Sequence, residues 1–122
     1  MTQTFPGRYS ELAAGMKSLA HAQPTVMEGF GRMHRAAIAG GVLTALDKEL
    51  MALAIGITSQ CAGCIAFHVH DAIDAGATRE HIAETVGVAV LMGGGPAVVY
   101  GVQAMQAFDE FAAQASGQNG EA

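Results

Sequence analysis

Along this chain the apolar residues recur every three to four positions and never settle into single alternation, and helix-breaking residues interrupt them at short intervals. A period near 3.6 buries one face of a helix, whereas a period of two buries one face of a strand. Only the first is present, so the fold class is all-α. At 122 residues without an internal repeat, the chain makes a single domain. The breaks divide it into about six helices.

Pro6-Gly7 marks residues 1–7 as a loose arm. The first helix runs from Tyr9 to about Ala22, with Leu12, Met16, Leu19 and Ala20 near one face, and stops at Pro24. Thr25 followed by Glu28 is a capping box for a second helix, with Val26, Phe30, Met33 and Ala37 on its stripe and Gly40-Gly41 at its end. Thr44 with Asp47 opens a third, which buries Leu46, Leu50, Leu53 and Ile57. Ser59 is the expected N-cap of a fourth helix, which ends at Ala75-Gly76. Thr78 caps a fifth, with Glu80 in the first turn and Ile82, Val86, Ala89 and Val90 inward. Gly93 to Pro96 breaks the chain again. A sixth helix follows from about Ala97 to Ala113, with Val98, Val102, Met105 and Phe108 inward, and the polar tail 116–122 is expected to be disordered.

Charged residues make up only 14% of the chain and hydrophobic residues 51%. A typical soluble domain carries about 25% charged residues. So small a domain has too few charges to cover its own surface, so an obligate homo-oligomer is expected. The net charge of −5 and the scattering of six basic residues between Arg8 and Arg79 exclude a phosphate-tracking surface, so no nucleic-acid partner is expected. The N-terminus lacks a basic-then-apolar signal pattern. The most apolar run, Val86 to Tyr100, is broken by glycines and too short to span a bilayer, so neither a membrane partner nor export is expected. The chain reads as cytoplasmic, where a close cysteine pair is catalytic or metal-binding more often than structural.

The chemistry lies between Glu49 and Asp71, in ELMALAIGITSQCAGCIAFHVHD, which holds the chain's two cysteines. At about 100° per residue, Cys64 lies about 60° from Cys61 and His68 about 20°, so the three share one stripe at the edge of the buried arc. Glu49 sits at the edge of the third helix's stripe. If the third and fourth helices form a hairpin across Thr58-Ser59-Gln60, it can face His68. A thiolate is the reactive form of cysteine. His68, one turn after Cys64, can take the Cys64 proton, Glu49 can orient the imidazole, and the second cysteine can resolve a sulfenic acid to a disulfide. The helix dipole favours Cys61 as the more ionised thiol. A direct base can outweigh a dipole worth under about 1 kcal/mol, so the residues by themselves leave the attacking thiol open between Cys61 and Cys64.

Two duller readings compete. The cysteines can be small buried residues, although both share a stripe with His68. They can also hold zinc with His68 and Glu49, although no second C-x-x-C or H-x-x-H exists. Asp71 reads as a solvated or salt-bridging residue, and His70 as facing solvent or another copy. His21, His34 and His81 read as surface or interface residues, and the seven methionines as core filler. Gly93 to Gly95 lacks the lysine and preceding strand of a phosphate loop.

Glu49, eleven residues, Cys61-Ala62-Gly63-Cys64, three residues and His68 together resemble the carboxymuconolactone decarboxylase-like superfamily, and within it the alkylhydroperoxidase D-like branch. The resemblance covers roughly residues 40–105. It implies a helical fold assembled as a homotrimer or homohexamer, and peroxide reduction by the cysteine pair. By that likeness Cys64 attacks the hydroperoxide, Cys61 closes the disulfide, Glu49 and His68 relay the proton, and an external dithiol restores the pair; no cofactor or metal is called for. Family members that reduce peroxides often carry a histidine before the second cysteine, where this chain has Gly63. The lactone decarboxylases of the superfamily lack the cysteine pair, so its presence argues against their activity. A decarboxylase-type enzyme acting on a small lactone or acid is the alternative, as is a non-enzymatic redox sensor or metal-binding assembly.

Overall fold

Six α-helices carry residues 3–120, the part of the chain that the computed structural model describes. They are α1 (Phe5–Ala22), α2 (Pro24–Ile38), α3 (Ala45–Thr58), α4 (Ala62–Asp74), α5 (Arg79–Gly93) and α6 (Gly95–Gly120), with no strand among the described residues. Helices α3 and α4 form one antiparallel hairpin and α5 and α6 another. α3 packs on α5 and α4 on α6, α1 lies across α4 and α6, and α2 rests on α1 at the outside. The centre is filled by Leu53, Ile57, Ile65, Val69 and Ile82, all fully buried.

The caps explain most boundaries. Thr44 and Asp47 form the expected reciprocal box: Asp47 N–H donates to Thr44 Oγ1 at 3.0 Å, and Thr44 N–H donates to Asp47 Oδ2 at 3.2 Å. Thr78 caps α5 as expected, but its reciprocal partner is a side chain the sequence reading left at the surface. His81 Nδ1 accepts the Thr78 N–H at 2.9 Å.

Four expectations give way. The N-terminal arm is not loose from residue 5 onward. Thr4 caps α1 by accepting the Gly7 N–H, Phe5 is buried, and its N–H donates to Glu110 Oε1 at 2.7 Å; Met1 and Thr2 lie outside the described residues. Thr25 and Glu28 form no capping box, because Pro24 already occupies the first turn and its fixed φ starts α2 earlier; the cap is Gln23, without a side-chain bond. Helix α6 begins at Gly95 and runs through Gly120, so the tail expected to be disordered is helical as far as residue 120; residues 121–122 lie outside the described residues. The break before it narrows to Gly94, at φ 68°.

Val98 and Val102 are the fourth. Both are exposed, and α6 instead buries Ala97, Gly101, Ala104 and Ala107, with Met105 and Phe108 packed beside them. The reason is backbone proximity. A Cβ on Gly101 would stand 2.6 Å from Val86 Cγ1 of α5, so the two helices approach too closely for a larger side chain. The valines are left outside with Val99 on α6, Val88, Leu91 and Met92 on α5, and Met51 and Ile55 on α3.

Tyr9 pins α1 to α4. Its ring stacks on His70 at 3.9 Å and meets Phe67 and Phe111 at 5.1 and 6.1 Å. Burial, then the nearby Asp71 and Asp74 carboxylates, push the Tyr9 phenol up. His70 is therefore an inward packing residue, half-buried, whose Nδ1–H donates to Asp71 Oδ1 at 2.9 Å. No described helix is long and apolar enough to cross a membrane.

The α5–α6 contact makes a prediction. Alanine favours a helix over glycine by about 1 kcal/mol. The overlap at Gly101 opposes this, because a β-branched valine has essentially one χ1 well within a helix and cannot swing aside. Gly101→Ala is expected to lower stability in urea denaturation by about 1–3 kcal/mol, and Val86→Ala in the same chain to return part of the loss. An unchanged or raised midpoint in Gly101→Ala would refute the contact.

Candidate active site

The hairpin of α3 and α4 builds the site, and its turn sets the register. Gln60 takes a left-handed φ of 57°, and Cys61 N–H donates back to Gly56 O at 3.0 Å. The reversal moves the start of α4 two residues past the expected cap. Ser59 instead closes α3, and Cys61 is the N-cap of α4, its Sγ accepting the Cys64 N–H at 3.2 Å. Cys64 thus stands in the first turn, at the positive end of the dipole, and the dipole no longer singles out Cys61.

Gly56 lets the helices close on this point. A Cβ there would lie 3.1 Å from Cys64 Cβ. The two cysteines are joined as a disulfide, with Cα atoms 5.2 Å apart.

Two turns before Gly56 on α3, Glu49 faces α4. It is 4% exposed, the one charged residue buried in the core among the described residues, and its Oε1 accepts the His68 Nδ1–H at 2.7 Å. A carboxylate needs a donor, so the proton sits on Nδ1, which leaves the Nε2 lone pair free. The hairpin therefore brings together all four expected residues: Glu49, Cys61, Cys64 and His68.

A half-open cavity of about 340 Å³ covers the site. Cys64 and His68 reach its wall with Gly63 and Phe67 from α4; Leu12 and Met16 come from α1, and Met27, Phe30, Gly31, His34 and Arg35 from α2. Cys61 and Glu49 are not on the wall. Most of the wall is apolar, so it admits an uncharged organic group and holds few waters.

His34, expected at the surface or an interface, is a wall residue, half-buried with its ring centre 6.4 Å from that of His68. Met16 and Met27 are wall rather than core. The spacing Phe30-x-x-x-His34 placed His34 on the apolar stripe of α2 and was the one available signal. What that stripe faces depends on tertiary packing, since α2 buries no residue fully. Asp71 points elsewhere, to His70, as a pairing residue. Among the described residues, His70, Asp71 and Asp74 are the group whose ligand atoms could gather around a cation; this group excludes both cysteines and bonds internally.

The sequence profile of the Carboxymuconolactone decarboxylase family matches residues 24–107, and the chain belongs to that family. A crystal structure of a carboxymuconolactone decarboxylase family protein from Legionella pneumophila, in its apo form, superposes with a TM-score of 0.85 at 38% identity, covering 88% of this chain and 96% of that one. An uncharacterized protein of Cupriavidus necator is 37% identical over 109 residues, 89% of this chain and 96% of its own. A Paracoccus denitrificans protein, described as uncharacterized protein 4 in cox locus, is 32% identical over 80% of this chain and 88% of its own.

Burying Glu49 is tolerable only while His68 answers it. His68→Leu is expected to lower stability by about 1–3 kcal/mol, the cost of a buried acceptor left unpaired. Glu49→Met added to it should recover most of that loss, since two apolar groups can replace a buried pair at little cost. Urea denaturation of the cycle reads this; losses that simply add would show that the bond does not hold the carboxylate in place.

Proposed function

We propose that the chain is a thiol-dependent peroxidase, a disulfide oxidoreductase that reduces hydroperoxides through Cys61 and Cys64. The observation that carries this reading is the asymmetry of the pair: Cys64 lines the cavity, and its disulfide partner Cys61 does not. In the reduced protein, the free Nε2 of His68 takes the Cys64 proton, while Glu49 holds the ring and neutralises the imidazolium. The Cys64 thiolate attacks the peroxide and becomes a sulfenic acid. Cys61, within bonding reach, displaces water from it and closes the disulfide. Two electrons from an external dithiol reopen the pair.

The exposed apolar residues of α3, α5 and α6 support a homo-oligomer with this surface buried between copies, and the resemblance to the family implies a trimer or hexamer.

A thiol count on reduced protein, before and after one equivalent of hydroperoxide, tests the reading. The expected result is rapid loss of both thiols in the wild type and little loss in Cys64→Ser. Slow loss that Cys64→Ser does not change would refute it. A lactone- or acid-directed enzyme using Glu49 and His68 would instead keep its turnover with serine at both cysteine positions.

A further inference from the structure

Cleavage of a hydroperoxide O–O bond expels an alkoxide, a strong base that leaves readily only if it is protonated as it departs. Four side chains with polar atoms reach the cavity wall: Cys64, His68, His34 and Arg35. Cys64 is the nucleophile. His68 is tied through Nδ1 to Glu49 and receives the thiol proton. An arginine does not give up its proton in a protein. The residue before Cys64 has no side chain to offer, and a Cβ on Gly63 would stand 3.5 Å from Leu12 Cδ2. His34 is the further group on the wall that can both give and accept a proton, as a general acid must.

Its placement suits the task. The His34 and His68 ring centres are 6.4 Å apart, their planes inclined by 29°. Both rings line the one cavity that Cys64 also lines, so a hydroperoxide bound there meets both imidazoles and the thiol. Phe30, one turn earlier on α2, backs the His34 ring at 6.4 Å.

On the peroxidase reading, we infer that His34 is a catalytic residue contributed by α2: the acid that protonates the leaving oxygen of an organic hydroperoxide. The Cys64 thiolate attacks the outer oxygen of R–O–O–H. The S–O bond forms as the O–O bond breaks, and the inner oxygen takes the His34 proton and leaves as R–O–H. Sulfur is oxidised by two electrons to the sulfenic acid and the peroxide is reduced by two to the alcohol. Solvent then returns the proton to His34.

The test is single-turnover oxidation of reduced wild type and His34→Gln, each with tert-butyl hydroperoxide and with peracetic acid. The first expels an alkoxide and needs the acid; the second expels a carboxylate, which leaves unaided. Because α2 buries no residue fully, the variant is expected to fold. The expected result is a rate lower by about a hundredfold with the alkyl hydroperoxide and by less than about threefold with the peracid. Equal losses with both oxidants, or none with either, would overturn the role of His34 while leaving the peroxidase reading intact. A wild type that reduces neither oxidant would overturn both.

Discussion

A close approach between α3 and α4, at Gly56 and Cys64, is the contact on which the site depends. Without a side chain at Gly56 the two helices meet almost backbone to backbone. That contact fixes the hairpin register, and the register decides what else can meet. Two turns earlier on α3 it sets Glu49 opposite His68, and at the turn it leaves Cys61 at the cap, bonded to the Cys64 amide. A shift of one residue in α3 would turn Glu49 about 100° away, and one in α4 would turn His68 away and strand a carboxylate in the core.

The buried pair has a chemical consequence as well as a structural one. Glu49 is buried and off the cavity wall, so the cavity presents His68 and not the carboxylate. The carboxylate fixes the tautomer, and the tautomer points the basic nitrogen away from Glu49. The sulfurs are unequal as well, with Cys64 on the wall and Cys61 off it. On the proposed peroxidase reading, a division of labour between attacking and resolving cysteine follows from this difference in access to the cavity, with no need for unequal thiol acidity.

The helices and the four site residues were legible because they depend on local rules. Spacings of three, four and seven gather Cys61, Cys64 and His68 on one stripe, and the short turn forces α3 and α4 to pair. What the sequence concealed depends on distance between helices. Hydropathy favoured Val98 and Val102 for the core of α6, but a close α5–α6 crossing selects Gly101 and the alanines on either side of it. By residue type Ser59 is the better cap, but the left-handed Gln60 turns the chain so that Cys61 takes the position. His34 was hidden for a related reason. Its helix is amphipathic yet buries nothing fully, so only the packing of α2 over α1 shows that its apolar stripe roofs a cavity. The long exposed apolar surface of α3, α5 and α6 agrees in kind with the scarcity of charge in the composition.

The most direct measurement is to locate the first oxidised sulfur. Single-cysteine proteins, Cys61→Ser and Cys64→Ser, would be reduced, exposed to a hydroperoxide in the presence of a sulfenic-acid trap, and mapped by mass spectrometry. The account predicts rapid trapping on Cys64 when Cys61 is serine, and slow or no trapping on Cys61 when Cys64 is serine. Equal trapping on both, or faster trapping on Cys61, would contradict the claim that the cavity presents Cys64 as the attacking thiol.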